Sequence, residues 1–249
     1  MTRAGSVRIL VAAGLLLSLE ICCRSGIINM TTMIPPSEML GAIADLARSG
    51  RLLKESLPTF RNVTIAFVLA VGLGVIGGTV LHSLPRVRRV LDPLLASYYA
   101  VPFFALYPLF VVIFGLNDWP LIMIGIVFAG VAVVVSTLNG IDRVPPVLLK
   151  VARIYRMSRT AKVRLVILPA IALPLFTGIK LALAYSFIGI LAGEFILASA
   201  GIGHAIAFAY DAFDNRTMYG LIAFTLILVT LMNMGLQACE RLLLKGRSR

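Results

Sequence analysis

Three glycines in the stretch VGLGVIGG have the spacing of a turn that binds the pyrophosphate of a dinucleotide. Gly72, Gly74 and Gly77 form Gly-X-Gly-X-X-Gly. Asp92 follows 20 residues after the first of them, where such sites place the acid that binds a ribose. A dinucleotide turn must also join a strand to a helix. These glycines lie instead within one uncharged apolar run, residues 63–81, so the sequence disfavours a nucleotide site.

The sequence contains no other arrangement typical of an enzyme. No serine, histidine and acid are spaced as a nucleophilic triad, and there is no phosphate-binding loop. Cys22 and Cys23 are adjacent and Cys239 is distant, which indicates neither a disulfide framework nor a metal site. We therefore expect a non-catalytic chain that binds no cofactor itself. Gly74 and Gly78 are then expected to allow close contact with a neighbouring helix.

The composition is that of a membrane protein. Of the 249 residues, 59% are hydrophobic and 14% are charged, and the mean hydropathy is +0.97. The uncharged stretches long enough to cross a hydrocarbon layer of about 30 Å are residues 63–81, 94–117, 119–141 and 217–239. Residues 9–23, with Glu20, and residues 174–195, with Lys180 and Glu194, are weaker candidates. The prediction is an all-α polytopic membrane helix bundle of about six transmembrane helices.

The two weaker spans lead to different expectations. Residues 9–23 follow Arg3 and Arg8 as a secretory signal peptide would, but they end without a small-residue cleavage site. We favour a retained helix, with a cleaved signal as the alternative. Residues 174–195 carry two charges, each costing about 2.5–3.5 kcal/mol at the centre of a membrane helix. That helix is therefore expected inside the bundle rather than in lipid.

Polar groups in and near the spans are candidates for a translocation path or a gate. Lys180 would attract an anionic cargo, although anchoring at lipid headgroups is the favoured role. Glu194 and His204 flank the loop ASAGIGH, where a structural hydrogen bond is favoured over a gate. Pro102 and Pro108 predict a kink in the third span. The other polar side chains in the spans are Tyr98, Tyr99, Tyr107, Ser136, Asn139, Tyr185 and Ser186.

Basic residues set the predicted orientation, because short loops rich in Lys and Arg stay in the cytoplasm. With an inner N-terminus, the inner basic residues are Arg3, Arg8, Arg86, Arg88, Arg89, Arg143, Lys150, Arg153, Arg156, Arg159, Lys162, Arg164, Arg241, Lys245, Arg247 and Arg249. The outer ones are Arg24, Arg48, Arg51, Lys54, Arg61 and Arg216. Both termini are therefore expected in the cytoplasm, and the net charge of +12 requires no nucleic acid partner.

Residues 24–58 form a predicted periplasmic segment with one short amphipathic helix. The stretch PPSEMLGAIADLARSG begins with two prolines and Ser37 as its cap. It places apolar side chains at helical spacing and ends at Gly50. We expect this helix at the outer surface, packed against the bundle.

Residues 142–168 form a cytoplasmic loop that contains the basic stretch KVARIYRMSRTAKVRLVILP. A helix is predicted to begin near Pro146 and to end at about Arg156. Ser158 or Thr160 then caps a second helix that enters the membrane. The basic positions recur every three residues and wind around the helix, which does not favour a nucleic-acid stripe. Lipid headgroups are another candidate partner for these charges.

From residue 106 to residue 232 the sequence resembles the inner-membrane permease subunits of bacterial ABC importers, closest to the nitrate, taurine and alkanesulfonate branch. That branch has Glu-Ala-Ala, three residues and Gly, then about a dozen residues before Leu-Pro and Thr-Gly-hydrophobic-basic. The pattern falls on Lys150, Val151, Ala152, Arg156, Leu168, Pro169, Thr177, Gly178, Ile179 and Lys180. Further similarity lies in residues 92–95, 106–120 and 193–206.

The resemblance implies a type I ABC importer permease, a single domain over residues 1–249 with its core at 59–241, in the bacterial inner membrane. It implies ATPase partners that use ATP and Mg, a second or paralogous permease, and a substrate-binding protein outside. It also implies a coupling helix that docks on the ATPase. The coupling residues would be Lys150, Val151, Ala152, Arg153, Tyr155, Arg156, Met157 and Ser158. Candidate pathway or gate residues are Lys180, Tyr185, Ser186, Glu194 and His204.

Two departures from the family pattern concern coupling. Lys150 replaces the family's Glu, and Arg156 replaces the Gly that permits a tight bend. A left-handed conformation at Arg156 would cost on the order of 1 kcal/mol. The reversed charge at Lys150 has three explanations, in order of preference. They are an acid on the ATPase, a second permease that keeps the standard motif, and weakened coupling.

The predicted function is ATP-driven import of a small solute. Sulfonate, taurine or nitrate is the favoured cargo, and a heterocyclic vitamin precursor is the alternative. An ion-coupled carrier or channel would require acids within the membrane or an inverted repeat. Glu20 and Glu194 lie near span ends and no repeat is evident in the sequence. A non-transporting adaptor whose loop binds lipid is a third candidate.

Overall fold

The computed structural model describes residues 3–29, 31–98, 101 and 103–245. Tyr99, Pro102, Arg247 and Arg249 were named above and lie outside the described residues. Within the described ranges the chain is helical and contains no strand, which confirms the predicted all-α class.

The described part of the chain forms α-helices joined by short connections. Their bounds are α1 Arg3–Arg24, α2 Pro36–Arg48, α3 Arg51–Ser83, α4 Pro85–Ser97, α5 Tyr107–Phe114, α6 Trp119–Asp142, α7 Pro146–Ile154, α8 Arg159–Lys162, α9 Leu168–Leu197, α10 Ile202–Asp211 and α11 Asn215–Lys245. A 3-10 turn, Phe103–Leu106, precedes α5, and a π-helical turn, Val163–Ile167, joins α8 to α9.

Four of these helical stretches are long and apolar enough to cross a membrane. They are Arg51–Ser83, Trp119–Asp142, Thr160–Leu197 and Asn215–Leu242. Each contains one predicted span, including the weaker candidate at 174–195. Helix α1 covers the predicted first span with 22 residues.

The predicted third span, residues 94–117, is not one long helix. Helix α4 ends at Ser97, and the apolar helix that follows, Phe103–Phe114, reaches only about 18 Å at 1.5 Å per residue. Pro108 explains where α5 begins, because a proline in the first turn of a helix needs no partner for its missing N–H. Gly115, at φ 79, ends α5.

The chain divides into two compact units. Among the described residues, the first unit extends to Thr59 and includes Glu194–Leu231, and the second contains Phe60–Gly193 and continues from Met232. Helices α3, α9 and α11 each contribute one part to each unit. The boundaries of a single permease domain remain a prediction.

In the first unit, α2 packs against the beginning of α11. A side chain at Gly220 has no room, since an added Cβ would lie 2.8 Å from the Cβ of Ala42. Arg216 also binds the carboxylate of Asp45 at 2.7 Å. The predicted short helix and its end at Gly50, which has φ 72, are confirmed.

The start of α2 differs from the prediction that Ser37 is its cap. Pro35 and Pro36 have no N–H, so Ser37 carries the first free N–H of the helix. Glu20 of α1 accepts that N–H at 3.0 Å and the Ser37 hydroxyl at 2.7 Å. Arg24 donates to the same carboxylate at 2.6 Å. The acid in the first apolar segment therefore caps α2.

In the second unit, α3 and α6 meet at glycines. An added Cβ on Gly74 would lie 2.5 Å from the Cβ of Val133, and one on Gly78 would lie 2.7 Å from the Cβ of Thr137. The predicted close contact at both glycines is confirmed. Gly72 has open space around its missing side chain, with no atom within 4 Å.

Helix α9 approaches a neighbouring part of the α6 surface in the same way. An added Cβ on Gly189 would lie 3.1 Å from the Cα of Gly125, and one on Gly178 would lie 2.5 Å from the Cβ of Ser136. Small buried residues continue this core at Ala70, Ala129, Val133 and Ala182. Helix α6 therefore lies at the centre of the second unit.

The glycine contacts predict a difference between neighbouring Gly→Ala substitutions in α3. Gly74→Ala should lower stability by about 1–3 kcal/mol, because the methyl group overpacks against Val133. Gly72→Ala is the matched control and should gain up to about 1 kcal/mol from helix propensity alone. Thermal unfolding of the purified protein in detergent measures both. Equal transition temperatures for the two variants would show that α3 and α6 do not meet here.

Candidate coupling and gating sites

The basic loop bends sharply after α7. Arg156 has φ 49, the left-handed conformation that usually belongs to glycine. Its N–H donates to the carbonyl of Arg153 at 3.0 Å, and the N–H of Met157 donates to the carbonyl of Ala152 at 3.0 Å. These two bonds form a Schellman motif, with Tyr155 as the C-cap. The bend that the family makes with Gly is thus present with Arg at that position.

A second helix begins directly after this bend. The hydroxyl oxygen of Ser158 accepts the N–H of Ala161 at 3.2 Å, and its carbonyl accepts the N–H of Lys162 at 2.9 Å. This is the geometry of an N-cap, so the predicted cap is confirmed at Ser158, and Thr160 lies in the first turn. The loop is therefore two helices joined by a bend. We call residues 146–158 the elbow.

One face of the elbow is apolar and exposed. Ile154 is 78% exposed and Tyr155 74% exposed, and Val151 is also exposed on the same side of α7. Ala152, in contrast, is 2% exposed and faces inward. Lys150 is exposed and makes no ion pair with any described residue. The elbow therefore presents apolar side chains and an open positive charge.

The end of α6 is held by an ion pair that the sequence analysis did not identify. Asp142 accepts two hydrogen bonds from the guanidinium of Arg88, at 2.9 and 2.6 Å. The Nδ1 atom of His82 lies 3.3 Å from the same carboxylate, and Asp92 lies 3.6 Å from Arg88. The hydrogen bonds to Asp142 raise the pKa of Arg88. These four residues fix α6 just before the elbow.

Glu194 caps α10 in the first unit. It is 1% exposed, and its Oε2 accepts the hydroxyl of Thr59 at 2.8 Å and the N–H of Gly203 at 3.0 Å. The Thr59 oxygen in turn accepts the N–H of Ile202 at 2.8 Å. The first two N–H groups of α10 therefore have partners, and the carboxylate is placed at the positive end of the helix. This geometry supports a structural role for Glu194.

The loop beside Glu194 requires glycine. Gly201 has φ 108, and an added Cβ would lie 2.3 Å from the carboxyl carbon of Glu194. His204 follows on α10, half-buried, with its ring 6.4 Å from that of Phe208. No hydrogen bond joins the His204 side chain to another described residue. The structure thus places the carboxylate of Glu194, a residue of α9, against this loop and His204 on the following helix.

A second cap in the first unit begins α11. Asp214 accepts the N–H of Thr217 at 3.0 Å. Hydrogen bonds from Thr217 hold the pKa of Asp214 below its ordinary value. Because the pKa is lowered in the folded state, this stabilisation is present at neutral pH and is lost as the pH falls through that lowered value.

The charge of Lys180 is paired with an acid within the second unit. Its ammonium group donates to Glu240 of α11 at 2.5 Å, and both side chains are mostly buried. The headgroup anchor and the attraction of anionic cargo both require an open charge. The ion pair disfavours both of these roles for Lys180.

Tyr185 and Ser186 lie in the core of the second unit. The ring of Tyr185 is 5.0 Å from that of Phe128, which also contacts Phe103 at 5.6 Å. Phe103 packs against Tyr98 at 4.4 Å. Ser186 is buried, and its hydroxyl has no hydrogen-bond partner among the described residues. Tyr185 therefore packs in an aromatic cluster, and its place in a translocation path stays a prediction.

An all-α chain with several helices of membrane-spanning length has the architecture of a polytopic membrane protein. The chain belongs to the family described as binding-protein-dependent transport system inner membrane component, which matches residues 27–248.

Individual relatives agree with this assignment. SsuC of Bacillus subtilis (strain 168), named as an aliphatic sulfonates transport permease, is 29% identical over 90% of this chain and 81% of its own. TauC of Escherichia coli (strain K12), a taurine transport system permease, is 27% identical over 83% of this chain and 77% of its own. A chain of the MetNI methionine ABC transporter matches at TM-score 0.64 with 18% identity. It covers 74% of this chain and 92% of its own, and supports the fold alone.

The cap of α10 predicts a specific effect of removing one hydroxyl. Thr59→Val keeps the side-chain shape but leaves the N–H of Ile202 without its acceptor, at a cost of about 1–3 kcal/mol. Thr230→Val is the control, since the exposed Thr230 bonds only within its own helix. Unfolding temperature and hydrogen exchange at residues 201–205 are the measurements. Unchanged exchange in Thr59→Val would contradict the cap.

The ion pair at the end of α6 predicts non-additive effects. In a double-mutant cycle, Arg88→Gln and Asp142→Asn should show a coupling energy of about 0.5–3 kcal/mol. Each single variant should also increase hydrogen exchange in residues 143–158. Arg86→Gln, an exposed neighbour, should do neither. Additive effects of Arg88→Gln and Asp142→Asn would show that the pair does not hold the elbow.

Proposed function

We propose that this chain is the permease subunit of an ATP-driven importer for a small anion. The main support for this proposal is that the chain belongs to the family of binding-protein-dependent transport system inner membrane components. Anionic cargo is supported by relatives named for aliphatic sulfonates and taurine. It is supported further by NrtB of Synechococcus elongatus, a nitrate import permease that is 27% identical over 63% of this chain and 56% of its own.

The partners follow from this assignment. A substrate-binding protein delivers the anion from outside, and ABC ATPase subunits supply energy by hydrolysing ATP with Mg. A second permease, identical or paralogous, completes the membrane part. Both termini lie in the cytoplasm, which the excess of Lys and Arg on the elbow side supports.

The elbow is the part that contacts the ATPase. Its exposed apolar side chains would be unfavourable in water, and an apolar contact with a partner removes them from it. Ala152 faces the permease and leaves room for α7 to lie close against it. The coupling surface is therefore Lys150, Val151, Arg153, Ile154 and Tyr155, with Arg156, Met157 and Ser158 forming the bend.

Lys150 meets an acid on the ATPase. Its ammonium group is exposed and unpaired within the described residues, so its charge is available to a partner. A complementary acid offsets the reversal from the family's Glu, since opposite charges across an interface fix the register of docking. The bend itself does not require Gly, because the left-handed conformation occurs here at Arg156.

The test is reconstitution of the permease with its binding protein and its candidate ATPase in liposomes. Uptake of a sulfonate, taurine or nitrate should require ATP and the binding protein. Lys150→Glu should lower substrate-stimulated ATP hydrolysis by about tenfold or more, because it places like charges together. Lys54→Glu, an exposed change in α3, is the matched control and should leave hydrolysis unchanged.

Two results would contradict the proposal. Uptake of these anions without any ATPase would exclude an ATP-driven importer. Equal hydrolysis and equal complex formation in the Lys150→Glu and Lys54→Glu variants would exclude docking through the elbow.

A further inference from the structure

A groove of about 290 Å³ runs between α6 and α9 in the second unit. It is lined by Ser136, Asn139, Arg143, Leu173, Pro174 and Thr177. Ser136 and Asn139 of α6 and Arg143, the residue directly after it, are separated by three and four positions, so they form one polar stripe along the same side. Gly178 brings α9 close against Ser136, at one end of this row of residues. Arg143 follows the last turn of α6 at the other end.

Some side chains that line the groove have hydrogen-bond donors with no partner among the described residues. The hydroxyl of Ser136 and the amide of Asn139 make no side-chain hydrogen bond with another described residue. Thr177 differs, because its hydroxyl donates to the carbonyl of Leu173 at 3.2 Å. Ser136, Asn139 and Arg143 are therefore the lining residues whose donors are available to a bound molecule.

Arg143 also supplies an open positive charge. Its neighbour Asp142 does not neutralise it, since that carboxylate already accepts two bonds from Arg88. No described acid lies within ion-pair distance of Arg143. Lys180, in contrast, is paired with Glu240. A guanidinium can donate two parallel N–H groups to the oxygens of one anion, which makes Arg143 the residue suited to hold it.

We infer that this groove binds a small oxoanion, a sulfonate or nitrate, through Arg143, Asn139 and Ser136. The inference rests on the proposed function and deepens it, by assigning to the transported anion a site within the second unit. Arg143 provides the charge at the mouth of the groove. The amide and hydroxyl provide neutral donors further along the same helix face, where α9 covers one side.

The test uses two thiol reagents of similar size and opposite charge. Cys22, Cys23 and Cys239 are first replaced by serine, and Asn139→Cys or Thr177→Cys is then introduced. The assembled transporter is treated with 2-sulfonatoethyl methanethiosulfonate, itself a small sulfonate, or with the cationic 2-(trimethylammonio)ethyl reagent. The anionic reagent should react faster, and Arg143→Gln should lower the ratio of the two rates by about three- to tenfold. Methanesulfonate or nitrate should slow the labelling.

Arg86→Gln is the matched control, an exposed arginine on α4 that does not line the groove. An equal ratio of rates in the Arg143→Gln and Arg86→Gln backgrounds would overturn the inference. Absence of labelling at both cysteine positions would overturn it as well, since the groove would then be covered in the assembled transporter. Use of two positions guards against a single variant that fails to fold.

ATP-dependent uptake by the unmodified complex separates this inference from the proposed function. If uptake occurs but the rate ratio does not depend on Arg143, the groove assignment fails and the function stands. If the ratio depends on Arg143 but no anion is taken up with ATP, the anion site stands and the proposed importer function fails.

Discussion

Close approach of helices at small residues of α6 is the constraint on which the second unit depends. Between helices in lipid there is little hydrophobic driving force, so contact area and dispersion must hold them together. Gly74 and Gly78 of α3, and Gly178 and Gly189 of α9, permit that contact. A single added carbon at Gly74 or Gly178 would lie 2.5 Å from the facing side chain. Helix α6 therefore sets the position of the α6–α9 groove, because it forms one wall of it. It also sets the position of the elbow, which follows its end.

Most of the acidic side chains in the described chain cap helices or bind basic side chains. The charged groups left for contacts with partners are therefore mainly basic. Glu20 caps α2, Glu194 caps α10, Asp142 binds Arg88 and Glu240 binds Lys180. With 11 acids against 23 basic residues, a surplus of positive charge remains. Part of that surplus lies at Arg143 and Lys150, on either side of the elbow's first turn. The charge balance that indicates membrane orientation therefore also leaves exposed groups for the anion and the acidic partner that we propose.

Features that depend on local sequence were predictable, and features that depend on distant pairs were not. The glycine contacts of α3, the short helix α2 and the cap at Ser158 follow from neighbouring residues and spacing. The left-handed conformation of Arg156 is expected only from the resemblance, because the family has Gly at this position. The contact of Thr59 with Glu194 joins residues 135 positions apart, so no spacing in the sequence predicts it. The position of Ser37 predicts it as the cap of α2, but Glu20, 17 positions away, caps that helix. Apolar length alone predicts one continuous helix for the third span, whereas its two prolines predict a kink, and the structure ends α4 at Ser97 and begins the next apolar helix at Phe103.

The elbow and the anion groove that we propose are adjacent in the chain. A displacement of the elbow can therefore change the position of a residue that lines the groove. Arg143 lies between the ion pair that fixes the end of α6 and the start of α7 at Pro146. If the ATPase displaces the elbow while Arg88 holds Asp142, the intervening residues must absorb the change in backbone angles. The guanidinium of Arg143 would then turn relative to Ser136 and Asn139, because these two residues lie within α6 and Arg143 lies after its end. An anion held by all three groups would lose its charged partner at that point, so displacement of the elbow would favour its release.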